Sequence, residues 1–183
     1  YLTNHIITIS NKRIIFWNIL NGKISKIYND IVETDNEITA FGVSKDLKRI
    51  FLGYHNGNVK SFYMSSGDFI KNYESHKKEI NNIIFCSKYQ MVISLSNDLQ
   101  LKLQEEKNNH EIFIEYLNQN NSELRNKEKP FVKKVIFKED KGIVIIILAN
   151  CCLVEVDVEH FKINKTIFVT KEHFRNISTT ECI

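Results

Sequence analysis

Proline is nearly missing from this sequence of 183 residues: Pro130 stands alone, and glycine numbers only six. A chain so poor in both does not read as a disordered linker. The four cysteines, Cys86, Cys151, Cys152 and Cys182, include no CxxC pair. Adjacency strains an ordinary disulfide between Cys151 and Cys152, so free thiols and a reducing compartment are expected. The longest apolar run, Ile143 to Ala149, falls far short of the ~20 residues that cross a bilayer, and no secretory leader is visible. Neither membrane nor secretion is expected, since the Asn-x-Ser/Thr triplets at Asn120, Asn164 and Asn176 arise by chance in so Asn-rich a chain. An opening Tyr1 in place of Met reads as processing, truncation or a window on something longer.

Charge of one sign is lacking too. Lys and Arg total 25 against 22 Asp and Glu, leaving +3, too scattered for the basic stripe that binds nucleic acid. Lys133, Lys134 and Lys138 cluster, yet alternation places them on the wet side of a strand. Glu105-Glu106 and Glu139-Asp140 sit at expected turns and read as solvated carboxylates. There is no Gly-x-Ser-x-Gly elbow, glycine-rich phosphate loop or His-Glu-x-x-His pair. No catalytic, metal or cofactor-binding residue is therefore assigned, no cofactor is expected, and the chain does not read as an enzyme.

What is present favours strands. Hydrophobic residues make up 43%, with twelve Phe, seven Tyr and many Ile and Val. The stretch from Glu37 to Tyr73 reads as four short strands, over 38–43, 50–54, 59–64 and 69–73, joined by turns rich in Asn, Gly, Ser and Asp. Four antiparallel strands in ~40–45 residues make one propeller blade. The pattern recurs. The first-strand trio Ile38, Phe41, Val43 returns as Ile80, Ile83, Phe85 and as Val132, Val135, Phe137. Third strands end in knobs at Trp17, Phe62 and Val156, with Gln104 in the same slot of the third copy. Six residues before each lies an Asx, namely Asn11, Asn56, Asp98 and Asn150, suited by its tolerance of left-handed backbone and its bonds to its own neighbours to the turn between second and third strands. The first two intervals between these Asx residues match one blade; the third is longer and implies an insertion over 107–129, within which His110 to Leu117 could still supply a fourth strand.

Taken together, Gly53 to Tyr63 with Ser65-Ser66-Gly67-Asp68, the degenerate dipeptides Trp17-Asn18, Phe62-Tyr63, Gln104-Glu105 and Val156-Asp157, and Ser75-His76 before Ile80 resemble the WD-repeat family. Lys60 to Lys71 running into Ser75-His76 is similar to the ciliary and flagellar WD-repeat proteins whose relatives carry EF-hands, although no EF-hand loop occurs here. The resemblance implies an all-β fold: a partial WD-type β-propeller of about four consecutive four-stranded antiparallel blades, the first incomplete. The blades fall at 1–30 (partial), 31–74, 75–130 with the insertion, and 131–170, with 171–183 starting another or leading out. It also implies a structural turn network of His76, Ser94 or Ser96, and Asp98, broken or rebuilt where Gln104 replaces Trp. The implied role is a protein-binding scaffold in a multi-subunit assembly, cytoplasmic or cytoskeletal, possible in the ciliary axoneme. The missing blades would come from the same longer chain or a partner. The 107–129 insertion is the candidate contact segment, an unstructured linker being the alternative. An RNA-associated propeller of the ribosome-assembly kind is the other reading; it needs exposed aromatics beside lysines, whereas Tyr63, Tyr73 and Phe131 are expected to be packed.

Overall fold

The structure, a computed structural model, describes residues 4–10, 13–29, 31, 36–105, 111–114, 131–149 and 152–168. Among them every regular element is a strand. β1 (His5–Ser10), β2 (Arg13–Asn18) and β3 (Ile24–Asn29) form a three-stranded sheet. β4 (Ile38–Val43), β5 (Arg49–Tyr54), β6 (Val59–Tyr63) and β7 (Phe69–Tyr73) form the second sheet. The third holds β8 (Ile80–Cys86), β9 (Met91–Ser96), β10 (Leu101–Glu105) and β11 (Glu111–Ile114). β12 (Val132–Lys138), β13 (Ile143–Leu148), β14 (Cys152–Asp157) and β15 (Lys162–Phe168) form the fourth. Each sheet is an antiparallel meander in chain order, which is the fold of a β-propeller fragment.

The chain divides into two units, Tyr1–Glu115 and Tyr116–Ile183. In the first unit, three sheets bury apolar faces between them. Ile14, Phe16 and Tyr28 of the first sheet meet Ile50, Leu52, Tyr54, Phe62 and Met64 of the second. Phe51, Val59 and Tyr73 of the second meet Ile80, Ile83, Phe85 and Val92 of the third. A sheet with apolar residues on both faces is stable only when both are covered, which is why β5 is buried from Ile50 to Tyr54. Gly53 permits the close approach of sheets two and three, since a Cβ there would lie 2.6 Å from Ile80 Cγ2. In the second unit, Val144, Ile146, Leu148, Val154 and Val156 alternate with less buried neighbours along β13 and β14.

Two irregularities repeat. Each complete first strand carries a bulge at the same place, between Ile38 and Ala40, Ile80 and Asn82, and Val132 and Lys134. Third and fourth strands slip at Phe16/Trp17, Ser61/Phe62 and Glu155/Val156, so the slip falls at Trp17, Phe62 and Val156 each time. At Gln104 the pairing with β11 runs on unshifted.

The first-strand trio does not pack uniformly. Ile80, Ile83 and Phe85 are buried, but Phe41 is 45% exposed. Its strand neighbours Ile38 and Val43 pack against the first sheet's core, and among the described residues that sheet has three strands to offer. Phe41 is left without cover.

Candidate functional site

Five of the described turns share one device. An Asx or Ser side chain accepts the backbone N–H two residues on, and the residue between adopts a left-handed conformation. Asn56 accepts from Asn58 N at 3.1 Å around Gly57 (φ 87°), and Asp98 accepts from Gln100 N at 3.2 Å around Leu99 (φ 66°). The same arrangement joins Asn21 to Lys23 around Gly22, Asp46 to Lys48 around Leu47, and Ser66 to Asp68 around Gly67. The left-handed residue is the one after the Asx and not the Asx itself, and the device also closes turns other than those between second and third strands. Asn11 and Asn150 lie outside the described residues, as does the 107–129 insertion except for 111–114.

The knob positions share a register. Trp17 pairs with Ile6, Phe62 with Ile50, Gln104 with Val92 and Val156 with Val144. Phe62 and Val156 are buried, whereas Trp17 is partly exposed and donates its Nε1–H to Thr8 Oγ1 at 2.8 Å.

The polar cluster at the junction of sheets two and three assembles around His76, which is 4% exposed. Its Nε2 lies 2.8 Å from Ser94 Oγ. Ser96 does not reach it; that hydroxyl donates to Asp98 Oδ1. His76 Nδ1 and Gln100 Oε1 are both buried, and neither closes a hydrogen bond of good geometry. The His76 main chain completes the junction, its N–H donating to Gly57 O at 2.9 Å.

Two further residues belong to the cluster: Gln104, which the sequence places in the knob slot, and Lys102, which gave no sequence signal. Gln104, in the Trp slot, grips the connecting backbone at both ends: its Oε1 accepts from Glu74 N at 2.8 Å and its Nε2 donates to Glu74 O at 3.1 Å. Lys102, 3% exposed, donates to Ser75 O at 2.8 Å and pairs with Glu74 at 3.1 Å. Burying an ammonium is costly unless it is paired and hydrogen-bonded, and here it is both. Gln104 and Lys102 are alternate residues of β10, so they share the face that Ser94 occupies on β9.

Burial depresses the His76 imidazole to about 4, helped by the nearby Lys102 ammonium; Asp98, Gln100 and Glu74 pull the other way. The unfolded chain, with a histidine near 6.5, therefore binds the extra proton between about pH 4 and 6.5. The stability from keeping His76 neutral is complete above pH 6.5 and lost as pH falls toward 4, about 3 kcal/mol in all. Asp46, held low by its bond from Ser44, and Asp157, held low by His160, act only at lower pH. In urea titrations at pH 7 and 4.5, His76→Gln is expected to flatten the pH slope; an unchanged slope would remove His76 as its source.

On the surface, His55 Nδ1 lies 2.7 Å from Glu79 Oε2, and Asn97 donates both to Glu79 Oε1 and, through its N–H, to Glu79 O. Tyr73 is buried, but Tyr63 is 47% exposed and Phe131 63%, contrary to the packing expected for them. Tyr63 follows the buried Phe62 on β6, so alternation turns it outward. Lys133 and Lys134 are both exposed, as adjacent residues at the β12 bulge can be.

No protein-family model matches the chain. A curated relative, Cilia- and flagella-associated protein 337 B of Tetrahymena thermophila, is 32% identical over 96 residues, which is 52% of this chain and 8% of the relative. Among solved structures, the β-propeller domain of Cps50 (Swd1) from Myceliophteria thermophila superposes with a TM-score of 0.69 at 8% identity, over 91% of this chain and 52% of that one. That likeness establishes the fold.

Proposed function

We propose that the chain is a non-catalytic scaffold, a run of propeller blades whose partners are other proteins of a multi-subunit assembly in the cilium or flagellum. Propellers offer turns and outer strands to partners while their sheet faces hold the stack together. The observation that carries the scaffold reading is this division of surfaces: the faces that sheets one, two and three turn toward one another are consumed by stacking, while the hairpin turns stay at the rim. The ciliary setting is supported by the 32% match to the Tetrahymena protein.

In this reading the blades occupy 1–30, 31–74, 75–130 and 131–170, and further blades from the same longer chain or a partner complete the ring. Two features support completion. Ile6, Trp17 and Ile24 are paired across the far face of the first sheet, where Ile6 is 53% and Ile24 45% exposed. Phe41 is bare where a strand pairing with β1 would cover it. Such an apolar face calls for a neighbour.

The test is in situ crosslinking mass spectrometry with localisation of the tagged full-length protein. The expected result is a detergent-resistant ciliary pool crosslinked to other proteins of the assembly. A diffuse, soluble protein without such crosslinks would overturn the proposal.

A further inference from the structure

Between the first and second sheets runs a groove of about 780 Å³, inside the ~300–1,000 Å³ of ordinary ligand clefts. Its floor is Phe16 and Met64, both buried, and its walls include Leu47 and Tyr63, 39% and 47% exposed. Among the described residues that line it, Lys26, Lys48 and Arg49 accompany a single carboxylate, Asp46; Lys48 lies 4.0 Å from that carboxylate, and the Arg49 guanidinium also lies over the Phe85 ring. That carboxylate is already engaged, accepting from Ser44 Oγ at 2.6 Å and from Lys48 N at 3.1 Å. Lys26 donates one of its three N–H groups to Ser65 O, a bond that spans the two sheets and closes one end of the groove. Tyr28 braces the same gap, donating to Met64 O at 2.5 Å while its ring sits beneath the Lys26 ammonium. On the wall, His5 Nδ1 is buried without a hydrogen-bond partner.

We infer that this groove is a docking site for an acidic segment of a partner protein bearing one large apolar side chain. The inference rests on the scaffold reading and gives it a surface. Charge complementarity selects the partner: even with Lys48 beside Asp46, the described lining carries more positive than negative charge, and that excess attracts and orients an acidic chain. The apolar floor selects the anchor, because a buried aromatic or aliphatic group supplies most of the affinity at such sites while the charged rim supplies steering and register. A nucleic-acid strand fits the surface less well, since it needs cations spaced along a track with stacking platforms in series. Here the cations ring one apolar depression.

The whole chain is titrated, by fluorescence anisotropy, with a labelled short polyglutamate peptide carrying one central phenylalanine. Saturable, salt-sensitive binding is expected. Replacing the peptide's phenylalanine by alanine, or introducing Lys26→Glu with Lys48→Glu, is expected to weaken it about tenfold. Leu47→Asn suits the left-handed backbone (φ 57°), so it removes apolar wall without straining the turn and should weaken binding at an unchanged melting temperature. Reversal of the exposed Lys77 and Lys78, remote from the groove, should leave binding intact. A benzophenone in place of the phenylalanine should label the Tyr63–Ser65 segment. Absence of binding, equal affinity for oligouridylate, indifference to the groove substitutions, or labelling elsewhere would each overturn the inference. Such a failure with the assembly crosslinks intact retires the groove alone; loss of those crosslinks with peptide binding intact retires the scaffold reading instead.

Discussion

Gly57→Ala is expected to destabilise the chain by about 4 kcal/mol, because two independent constraints meet at that residue. Its φ of 87° lies in the left-handed region, where a side chain is strained. A Cβ there would also sit 2.2 Å from His76 O and 2.9 Å from Lys78 O, both backbone atoms unable to rotate away. Relief requires pulling the turn off the third sheet, which breaks the bond from His76 N to Gly57 O. Gly22→Ala separates the two constraints: its φ of 66° is similar, but nothing lies within 4 Å of the added atom, so only strain of about 1 kcal/mol is expected. Urea unfolding followed by circular dichroism measures both. Equal costs would mean that the contact with His76 has slack.

Phe51→Ala is expected to cost about 3–5 kcal/mol. Phe51 is fully buried, stacked on Phe85 with centroids 5.0 Å apart and planes 14° from parallel, and tilted against Tyr73 at 6.3 Å. It belongs to β5, whose two faces serve different neighbours: Ile50 and Leu52 point to the first sheet and Phe51 to the third. Truncation therefore leaves a cavity in the junction that holds sheets two and three together, a junction already held close by Gly53. The same urea titration reports the loss; a cost below about 1.5 kcal/mol would show that the sheets close the gap by sliding.

The strand pattern was plain in the sequence. The second sheet's expected strands agree with β4 to β7 to within a residue at each end, because alternation and polar turns are local signals. Even the short strand expected within His110 to Leu117 is present at Glu111–Ile114. The bulges were not legible. One inserted residue, such as Thr39, breaks the two-residue period without leaving any compositional mark. The exposure of Phe41 depends on how many strands the neighbouring sheet presents, three among the described residues, and a propensity cannot report a neighbour. Gln104 in the knob series left open whether the network there was broken or rebuilt. Its fit to the two polar groups of Glu74 depends on a backbone thirty residues away in sequence, beyond the reach of any local pattern.

The self-bonded turn has a consequence for how such a chain can change. Asn21, Asp46, Asn56, Ser66 and Asp98 each close a hairpin with their own neighbours, so each loop is specified within a few residues and can form in microseconds without outside help. Side chains between the loops are then free to drift in concert, provided volume and apolar character are kept. Trp17, Phe62, Gln104 and Val156 already fill one register position in four sheets, and shape outlasts lettering.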